Sequence, residues 1–264
     1  MPQLNSTIPT LFISHGSPML ALEDAPTTKF LRGLAAQLPK PSAIIIASAH
    51  WETDEPMLTG AVQLETIHDF QGFPKELYAL RYPAHGNPEL ANRVQSLLTA
   101  SGFKTGIDPV RGMDHGAWNP LLLMYPRADI PVIELSVQPK HDASWHCKIG
   151  QALAPLRKEN ILIIGTGNLT HNLREAFRGH HSETPLWVTA FAEWVAEHAA
   201  KSNIADLLNW QTLAPHAREN HPTPEHFLPF FVALGAAGTP LQARHLHEDT
   251  ALGVLAMDAY AFGN

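Results

Sequence analysis

Runs of consecutive apolar, β-forming residues recur along the chain, and segments with helical spacing separate them. Four clear apolar runs cover residues 8–14, 43–49, 131–137 and 161–166. Helical spacing of apolar residues covers 27–38, 88–101, 142–158, 185–200 and 225–236. Strands buried on both faces are nearly continuous apolar runs, and strands that alternate with helices form parallel sheets. The pattern therefore predicts an α/β fold with a mostly parallel central sheet flanked by helices.

The remaining segments refine this prediction. Residues 251–260 alternate between small and apolar side chains and predict a late strand in the same sheet. The connections 51–86 and 105–120 are long and rich in aromatic residues, and loops of that kind usually carry function. No internal repeat, low-complexity tract or flexible linker interrupts the chain. Residues 1–264 are therefore expected to form a single domain.

Composition restricts the possible classes of protein. The 264 residues are 45% hydrophobic and 16% charged, as in an ordinary globular protein. The net charge of −7 and the lack of basic runs argue against a nucleic-acid partner. No segment approaches the roughly 18 apolar residues of a membrane span, and the first residues do not resemble a secretion signal. No membrane partner is therefore expected.

Cys147 is the only cysteine, so an intrachain disulfide cannot form. A chain without disulfides is typical of a reducing compartment, and the cytoplasm is the predicted location. We expect Cys147 itself to be a small buried apolar residue. It is not expected to be a catalytic nucleophile, because its neighbour His146 points elsewhere on any helix.

Histidine is unusually frequent, with 16 copies against 18 for lysine and arginine together. Three strand-like runs are followed within a few residues by His15, His50 and His171. Open α/β sheets bind ligands outside the carboxyl ends of their strands, and imidazole is a common ligand of transition metals. The three histidines are therefore predicted to converge on a metal site at that edge of the sheet.

A fourth candidate ligand lies near the end of the chain. Thr223 is a suitable N-cap and Pro224 suits the first helical position, which places His226 in the first turn of a helix. The helix N-terminus favours the neutral imidazole that binds metals. Glu225 and His226 would be about 100° apart on this helix, so only one of them can face the site. We predict His226, with Glu225 as the open alternative.

Further residues are weaker candidates. His115 lies in a glycine-flanked loop before an apolar helix, which suits a residue that contacts a substrate. Gly165 and Gly167 do not match a phosphate-binding loop and are expected to let the backbone approach a ligand closely. His221 is a loop or pocket residue, and Arg81 and Arg111 are expected to be solvated. Less specific histidines are His68, His245 and His247, the predicted exposed pair His180 and His181, and the surface or packing residues His85, His141, His146, His198 and His216.

Several short motifs occur in an order that resembles a known family. It is the class III extradiol ring-cleavage dioxygenases of the protocatechuate 4,5-dioxygenase β-subunit superfamily, and within it the DOPA-4,5-dioxygenase-like bacterial subgroup. The resemblance spans nearly the whole chain. Each motif is weak alone, but five in order are specific. The motifs are Ser14-His15-Gly16-Ser17-Pro18, Ser48-Ala49-His50-Trp51, Asp114-His115-Gly116, Gly167-Asn168-Leu169-Thr170-His171-Asn172 and Pro222-Thr223-Pro224-Glu225-His226.

The resemblance implies one α/β domain that holds a divalent metal, binds a catechol such as DOPA and, with iron(II), uses O2 to open the ring beside the hydroxyls. His15 and His50 match the two histidine ligands of the family. His226 matches the third ligand, which is a glutamate in many relatives. His171 matches the acid/base histidine, which some zinc-bound relatives also use as a ligand. His115 matches a histidine that lines the substrate pocket.

An all-histidine ligand set departs from the two histidines and one carboxylate that non-haem iron oxygenases commonly use. Zinc favours nitrogen ligands, so one divalent metal per chain is expected, Zn²⁺ in the purified protein and Fe²⁺ for the O2 chemistry. Trp51 and Trp118 are predicted as aromatic walls for the substrate. Two alternatives stay open, a zinc-dependent hydrolase and a non-catalytic metal-binding scaffold of the same superfamily. A homo-oligomer is compatible with the sequence.

Overall fold

An eight-stranded sheet runs through the protein, in a computed structural model that describes residues 7–179 and 183–263. Its order is β4-β3-β5-β2-β6-β1-β10-β7, and β8 pairs with β9 in a separate small hairpin. The neighbours β5, β2, β6 and β1 run parallel, whereas β10 and β7 add antiparallel strands at one edge. The strands are β1 (Thr10–Ser14), β2 (Ala43–Glu52), β3 (Met57–Thr59), β4 (Gly106–Asp108), β5 (Val132–Val137), β6 (Ile161–Gly167), β7 (Ala243–His247), β8 (Thr250–Ala251), β9 (Leu255–Ala256) and β10 (Ala259–Phe262).

Helices cover both faces of the sheet. The α-helices are α1 (Pro26–Leu34), α2 (Lys75–Ala79), α3 (Pro88–Ala100), α4 (His115–Met124), α5 (Ala143–Leu153), α6 (Leu173–Arg178), α7 (Leu186–Ala200), α8 (Ile204–Leu208), α9 (Trp210–Leu213), α10 (Ala217–Asn220) and α11 (Leu228–Ala236). Short 3-10 helices cover Pro18–Ala21, Ala35–Gln37 and Ala154–Glu159. None of the helices in the described part of the chain is long and apolar enough to cross a membrane.

The alternation of side chains along the buried strands divides the core into two layers. In β2, Ile44 and Ile46 are fully buried in the cluster that includes residues of α1 and α4. Ile45 between them is fully buried in a second cluster with residues of α3 and α5. Both faces of the strand are thus apolar because both are covered, as expected for a parallel strand in the middle of an α/β sheet. The single α/β domain with a mostly parallel sheet confirms the predicted fold class.

The predicted late strand at residues 251–260 is wrong in its extent. Leu252 has a φ of 51° and Gly253 a φ of 75°, and these left-handed residues turn the chain between the short strands β8 and β9. The strand that joins the main sheet, β10, begins only at Ala259 and runs antiparallel to β1. The pattern did not predict β3 and β4, which have three residues each, or β7, whose Ala-Arg-His-Leu-His sequence is largely polar.

Candidate metal centre

Three histidine side chains meet at the carboxyl ends of the central strands. His15 follows β1 directly, His50 lies near the end of β2, and His226 lies in the turn before α11. The Nε2 atom of His50 is 3.0 Å from Nε2 of His15 and 3.3 Å from Nε2 of His226. Two nitrogens bound to one metal at roughly 2.0–2.1 Å lie about 3.0–3.4 Å apart. The spacing therefore fits one metal ion shared by the three Nε2 atoms.

Hydrogen bonds at the opposite ring nitrogens fix the tautomers of two of these histidines. His226 Nδ1 is 2.8 Å from the Glu225 Oε1 atom, and this carboxylate accepts the Nδ1 proton. His15 Nδ1 is 3.0 Å from the Thr166 hydroxyl, which itself donates to the Gly116 carbonyl at 2.8 Å. Because the hydroxyl proton is committed to Gly116, Thr166 accepts from His15 Nδ1–H. Both Nε2 atoms are left with a free lone pair, the form that ligates a metal.

A carboxylate from the long loop lies behind His50. The Asp69 Oδ2 atom is 3.4 Å from His50 Nδ1, and Asp69 Oδ1 accepts a hydrogen bond from the backbone N–H of His115 at 2.9 Å. Asp69 Oδ1 also lies 3.0 Å from His115 Nδ1. The sequence drew attention to His68, but its neighbour Asp69 is the residue that reaches the site. The aromatic character of the loop was the only signal that could have suggested it.

His115 completes the inner surface of the site. Asp114 caps α4 by accepting from Ala117 N–H, so His115 is the first residue of that helix. The His115 ring centroid is 4.0 Å from that of His50 and 5.5 Å from that of His15. Ligand-capable atoms of His15, His50 and His115 all lie within 4.8 Å of one another. Within the described ranges, His115 Nδ1 forms no hydrogen bond despite its proximity to Asp69.

His171 lies against His226 rather than pointing at it. The two rings stack with centroids 3.4 Å apart and an angle of 13° between their planes. The backbone N–H of His171 donates to the Asn220 carbonyl, and its Nδ1 atom is 3.9 Å from Glu225 Oε1. Both Nδ1 atoms therefore face the same carboxylate oxygen. His171, Glu225 and His226 form a second group whose ligand-capable atoms lie within 4.8 Å of one another.

Burial keeps the clustered histidines neutral. It lowers the pKa of His50 to about 4, with a further contribution from His115, and it lowers the pKa of His171 to about 3, with a further contribution from His221. Burial and the neighbouring histidines also hold the pKa of His15 and of His226 well below the ordinary value. Neutral imidazole is the metal-binding form, so protons compete little for these nitrogens at neutral pH.

The helix predicted to carry His226 starts later than expected. Phe227 is the N-cap of α11, and residues 225–227 form a turn. In this turn the Phe227 N–H donates to the Pro224 carbonyl. The helical geometry assumed for Glu225 and His226 is therefore wrong, although the two side chains still point to different sides. In the turn, Glu225 reaches around to the Nδ1 side of His226, while Nε2 faces His50.

Gly165 and Gly167 permit a close approach of protein backbone, not of a ligand as the sequence suggested. A Cβ atom at Gly167 would lie 2.0 Å from the His226 carbonyl oxygen, and one at Gly165 would lie 2.0 Å from the Pro229 carbonyl oxygen. The N–H of Asn168 donates to that His226 carbonyl at 2.9 Å. The glycines thus let the turn that carries His226 lie directly on the end of β6.

Replacing Gly167 by alanine is expected to lower the free energy of unfolding by about 1–3 kcal/mol, since the added methyl must displace the His226 backbone. Metal affinity should fall in the same variant, because His226 moves. Gly33→Ala in α1 is a matched control, because a Cβ there would meet nothing within 4 Å. Urea unfolding of both variants measures the difference, and a Gly167→Ala protein as stable as wild type would contradict the close approach.

The two predicted tryptophans lie behind the site. Trp118 is fully buried, and its indole N–H donates to the Ile67 carbonyl at 2.8 Å. Trp51 is 6% exposed, and the Arg111 guanidinium covers its ring at 4.4 Å. Their role as walls for the substrate stays a prediction. Phe70 is partly exposed, and its ring centroid is 5.6 Å from that of His115.

The structure places the other sequence candidates as follows. His221 is buried beside Phe227 and bonds through Nε2 to the Leu169 carbonyl at 2.8 Å. Arg111 is not simply solvated, since it pairs with the buried Asp114. Cys147 is buried as expected. Elsewhere, His68 lies 3.2 Å from the Leu80 carbonyl. His245 pairs with Asp258, and His247 contacts Thr27. The predicted pair His180 and His181 lies outside the described residues.

Acid is expected to destabilise the metal-free protein already at pH values well above those at which carboxylates titrate. Burial lowers the pKa of His146 and of His221 to about 4, whereas an unfolded histidine titrates near 6.5. The unfolded state therefore binds more protons below pH 6.5, and stability present above that pH is lost as pH falls towards 4. Each group contributes roughly 1.4 kcal/mol per pH unit in that window.

Urea unfolding at pH 7 and pH 5 measures this loss. His146 accepts a hydrogen bond from the Gln138 N–H at Nε2 and lies 2.8 Å from the Asp142 carbonyl at Nδ1, so protonation would remove the first bond. His146→Gln, which does not titrate, should reduce the dependence on pH. Equal stability of the wild type at both pH values would contradict the assignment.

Comparisons with known proteins agree with this site. The family described as the catalytic LigB subunit of aromatic ring-opening dioxygenase matches residues 9–257. A 4,5-DOPA dioxygenase extradiol from Beta vulgaris is 46% identical over 257 residues, which are 96% of each chain. A protein of the same name from Escherichia coli K12 is 41% identical over 245 residues, covering 88% of this chain and 86% of that one. The chain therefore belongs to the family of aromatic ring-opening dioxygenases, and it is an extradiol dioxygenase of the class predicted from its motifs.

A solved structure supports the same conclusion for the fold. The crystal structure of the uncharacterized protein JW3007 from Escherichia coli K12 superposes with a TM-score of 0.82 at 36% sequence identity. The match covers 97% of this chain and all of that chain. The family and the buried histidine group together indicate one metal site in the domain.

Proposed function

We propose that the protein cleaves the aromatic ring of DOPA beside its vicinal hydroxyls, with one divalent metal held by His15, His50 and His226. The observation that carries the proposal is the convergence of three Nε2 atoms, at 3.0 and 3.3 Å, in a chain of this family. The choice of DOPA is supported by relatives of 39–46% identity that bear the name 4,5-DOPA dioxygenase extradiol.

The donor set is compatible with zinc and with iron. Three neutral imidazoles suit Zn²⁺, and we propose Zn²⁺ as the metal of the protein as purified. Iron(II) is the metal we propose for catalysis, because O2 chemistry needs a redox-active ion. When bound by these histidines, a divalent ion would supply Lewis acidity to the catechol, and iron(II) would also supply reactivity towards O2. Glu225 lies on the far side of His226 from this centre, which supports His226 as the third ligand.

His171 is the group we propose to move the proton. It is neutral, lies beside a ligand histidine, and is not hydrogen-bonded through its ring to other described side chains. A neutral imidazole can take a proton from the second catechol hydroxyl and return it later in the reaction. His171 would thus be the acid/base residue, with a ligand role kept as an outcome of the test below.

His115 and Phe70 orient the substrate in this proposal. His115 lies against the rings of His15 and His50, and the Asp69 contact to its backbone holds it there. It is placed to hydrogen-bond an oxygen of the substrate. Phe70 supplies an aromatic surface at the opening, and Trp118 supports that surface from behind at a centroid distance of 6.3 Å. Trp51 supports the site through Arg111.

Metal analysis followed by reconstitution with iron(II) and an O2-uptake assay with DOPA tests the proposal. We expect consumption of one O2 for each ring-opened product, and no consumption by the zinc form. Tight zinc with no iron uptake and no O2 consumption would favour the hydrolase or the scaffold. Amide or ester turnover without O2 would identify the hydrolase. A cytoplasmic location and a homo-oligomer stay predictions, the first supported by the single buried cysteine.

A further inference from the structure

Two carboxylates lie directly behind the histidines of the proposed centre. Glu225 Oε1 is 2.8 Å from His226 Nδ1 and 3.9 Å from His171 Nδ1. Its side chain is 12% exposed, so water competes little for these contacts. One carboxylate therefore faces a proposed ligand histidine and the proposed acid/base histidine together.

Asp69 has the same relation to the other half of the site. Its Oδ2 atom is 3.4 Å from His50 Nδ1, and its Oδ1 atom is 3.0 Å from His115 Nδ1. Oδ1 also accepts the backbone N–H of His115, the first residue of α4. Asp69 thus joins the long aromatic loop to a proposed ligand histidine and to the histidine proposed to contact substrate.

The third proposed ligand histidine, His15, is held by an uncharged partner. His15 donates to the Thr166 hydroxyl, as shown above, and no carboxylate of the described chain is within ion-pair distance of its ring. A divalent cation on three neutral imidazoles keeps a charge of +2. The two carboxylates, each one side chain removed from the metal, would balance that charge without occupying a coordination position.

We propose that Glu225 and Asp69 are positioning residues that orient two ligand histidines and balance the metal charge from outside the ligand set. The inference rests on the proposed function, because it takes His50 and His226 as ligands. It also gives a physical reason for the missing carboxylate ligand: the negative charge is kept, but it lies behind the histidines. His226 takes the third ligand position in this arrangement, and Glu225 supports it from the Nδ1 side.

Binding of Zn²⁺ tests the proposal without any turnover. The zinc dissociation constant is measured by competition with a colorimetric chelator for wild type, Glu225→Ala, Glu225→Gln, Asp69→Ala and Asp69→Asn. We expect the alanine variants to bind zinc about 10–100-fold more weakly, the usual loss when the partner of a ligand histidine is removed. The amide variants should recover part of the loss, because the amide oxygen of Glu225→Gln can accept the His226 Nδ1 proton and that of Asp69→Asn can accept the backbone N–H of His115.

Glu52→Gln is the matched control. Glu52 ends β2 two residues beyond His50 and is close enough to Glu225 for their charges to interact, which together with partial burial raises the pKa of Glu52. Within the described residues it forms no side-chain hydrogen bond or ion pair. Its removal changes the charge near the site but no histidine contact, so zinc affinity should stay at the wild-type value. Circular dichroism and thermal unfolding identify any variant that does not fold, and the nearly isosteric amide variants keep the test decisive.

Three results decide the matter. Alanine variants that bind zinc as tightly as Glu52→Gln would overturn the proposal. If the amide variants bound zinc as weakly as the alanine variants, the two carboxylates would act through their charge alone, and this result would overturn the positioning role. With metal at saturation, Glu225→Ala should lower kcat for the catechol more than it changes KM, because His171 loses its neighbour. If the wild type bound zinc but cleaved no catechol with iron, the proposed function would fail, and the zinc series would still decide this inference.

Discussion

Alanine at His15 is expected to abolish metal binding and with it all ring cleavage. His15 is 1% exposed, and its Nε2 atom lies 3.0 Å from that of His50, another member of the proposed ligand set. Loss of a partner that only orients a ligand costs about 10–100-fold in metal affinity, so loss of the ligand itself should cost more than about 100-fold. His115 also lies nearby, with its ring centroid 5.5 Å from that of His15, so residual metal binding would measure how far His115 can take over as a ligand.

Zinc and iron dissociation constants measure this effect, together with O2 uptake by protein incubated with excess iron(II). His85→Ala is a suitable control, since His85 is an exposed residue that contacts Gln63 away from the site. It should bind metal and consume O2 like the wild type. A His15→Ala protein that retained wild-type metal affinity would show that the ion binds elsewhere, for example at His171, Glu225 and His226.

The sequence predicted the central strands and the strand ends at which the histidines lie, because a strand buried on both faces is a continuous apolar run. Residues 161–167 are apolar or small throughout, and every one is buried. Parallel neighbours then bring their carboxyl ends to one edge, so His15 and His50 could be placed together without coordinates. No strand leads to His226, so it was predicted from its place in the first turn of an expected helix and from the family resemblance.

The parts that failed depend on backbone geometry that residue types do not encode strongly. The start of α11 at Leu228 and not at Pro224 could not be read from Thr-Pro, which suits an N-cap or a turn equally. The role of Asp69 could not be predicted, because it depends on the path of a long loop and tertiary contacts determine that path. The expectation that Gly167 lets a ligand approach was wrong for the same reason. A glycine indicates that something lies close to the backbone, but it does not show whether that is a ligand or another part of the protein.

His171→Ala is expected to keep the metal and lose turnover. The His171 and His226 rings are nearly parallel, at 13°, so their ring nitrogens point side by side and do not converge on one point. A ligand would have to point at the ion that His226 Nε2 faces. We therefore propose that His171 is a proton acceptor and not a ligand, and removing such a group typically costs about 10²–10⁴-fold in rate.

Metal content, zinc affinity and kcat for DOPA in His171→Ala separate the two possible roles of this residue. An acid/base role predicts wild-type zinc affinity with a large fall in kcat, and His171→Gln should be as inactive as the alanine variant, because an amide does not take up a proton near neutral pH. Burial lowers the pKa of His171 to about 3, so the imidazole of the wild type carries no proton on its acceptor nitrogen at neutral pH. If metal affinity and activity fell together by the same factor, His171 would be a ligand, and the proton would have to pass to another group, of which His115 is the nearest to both His15 and His50.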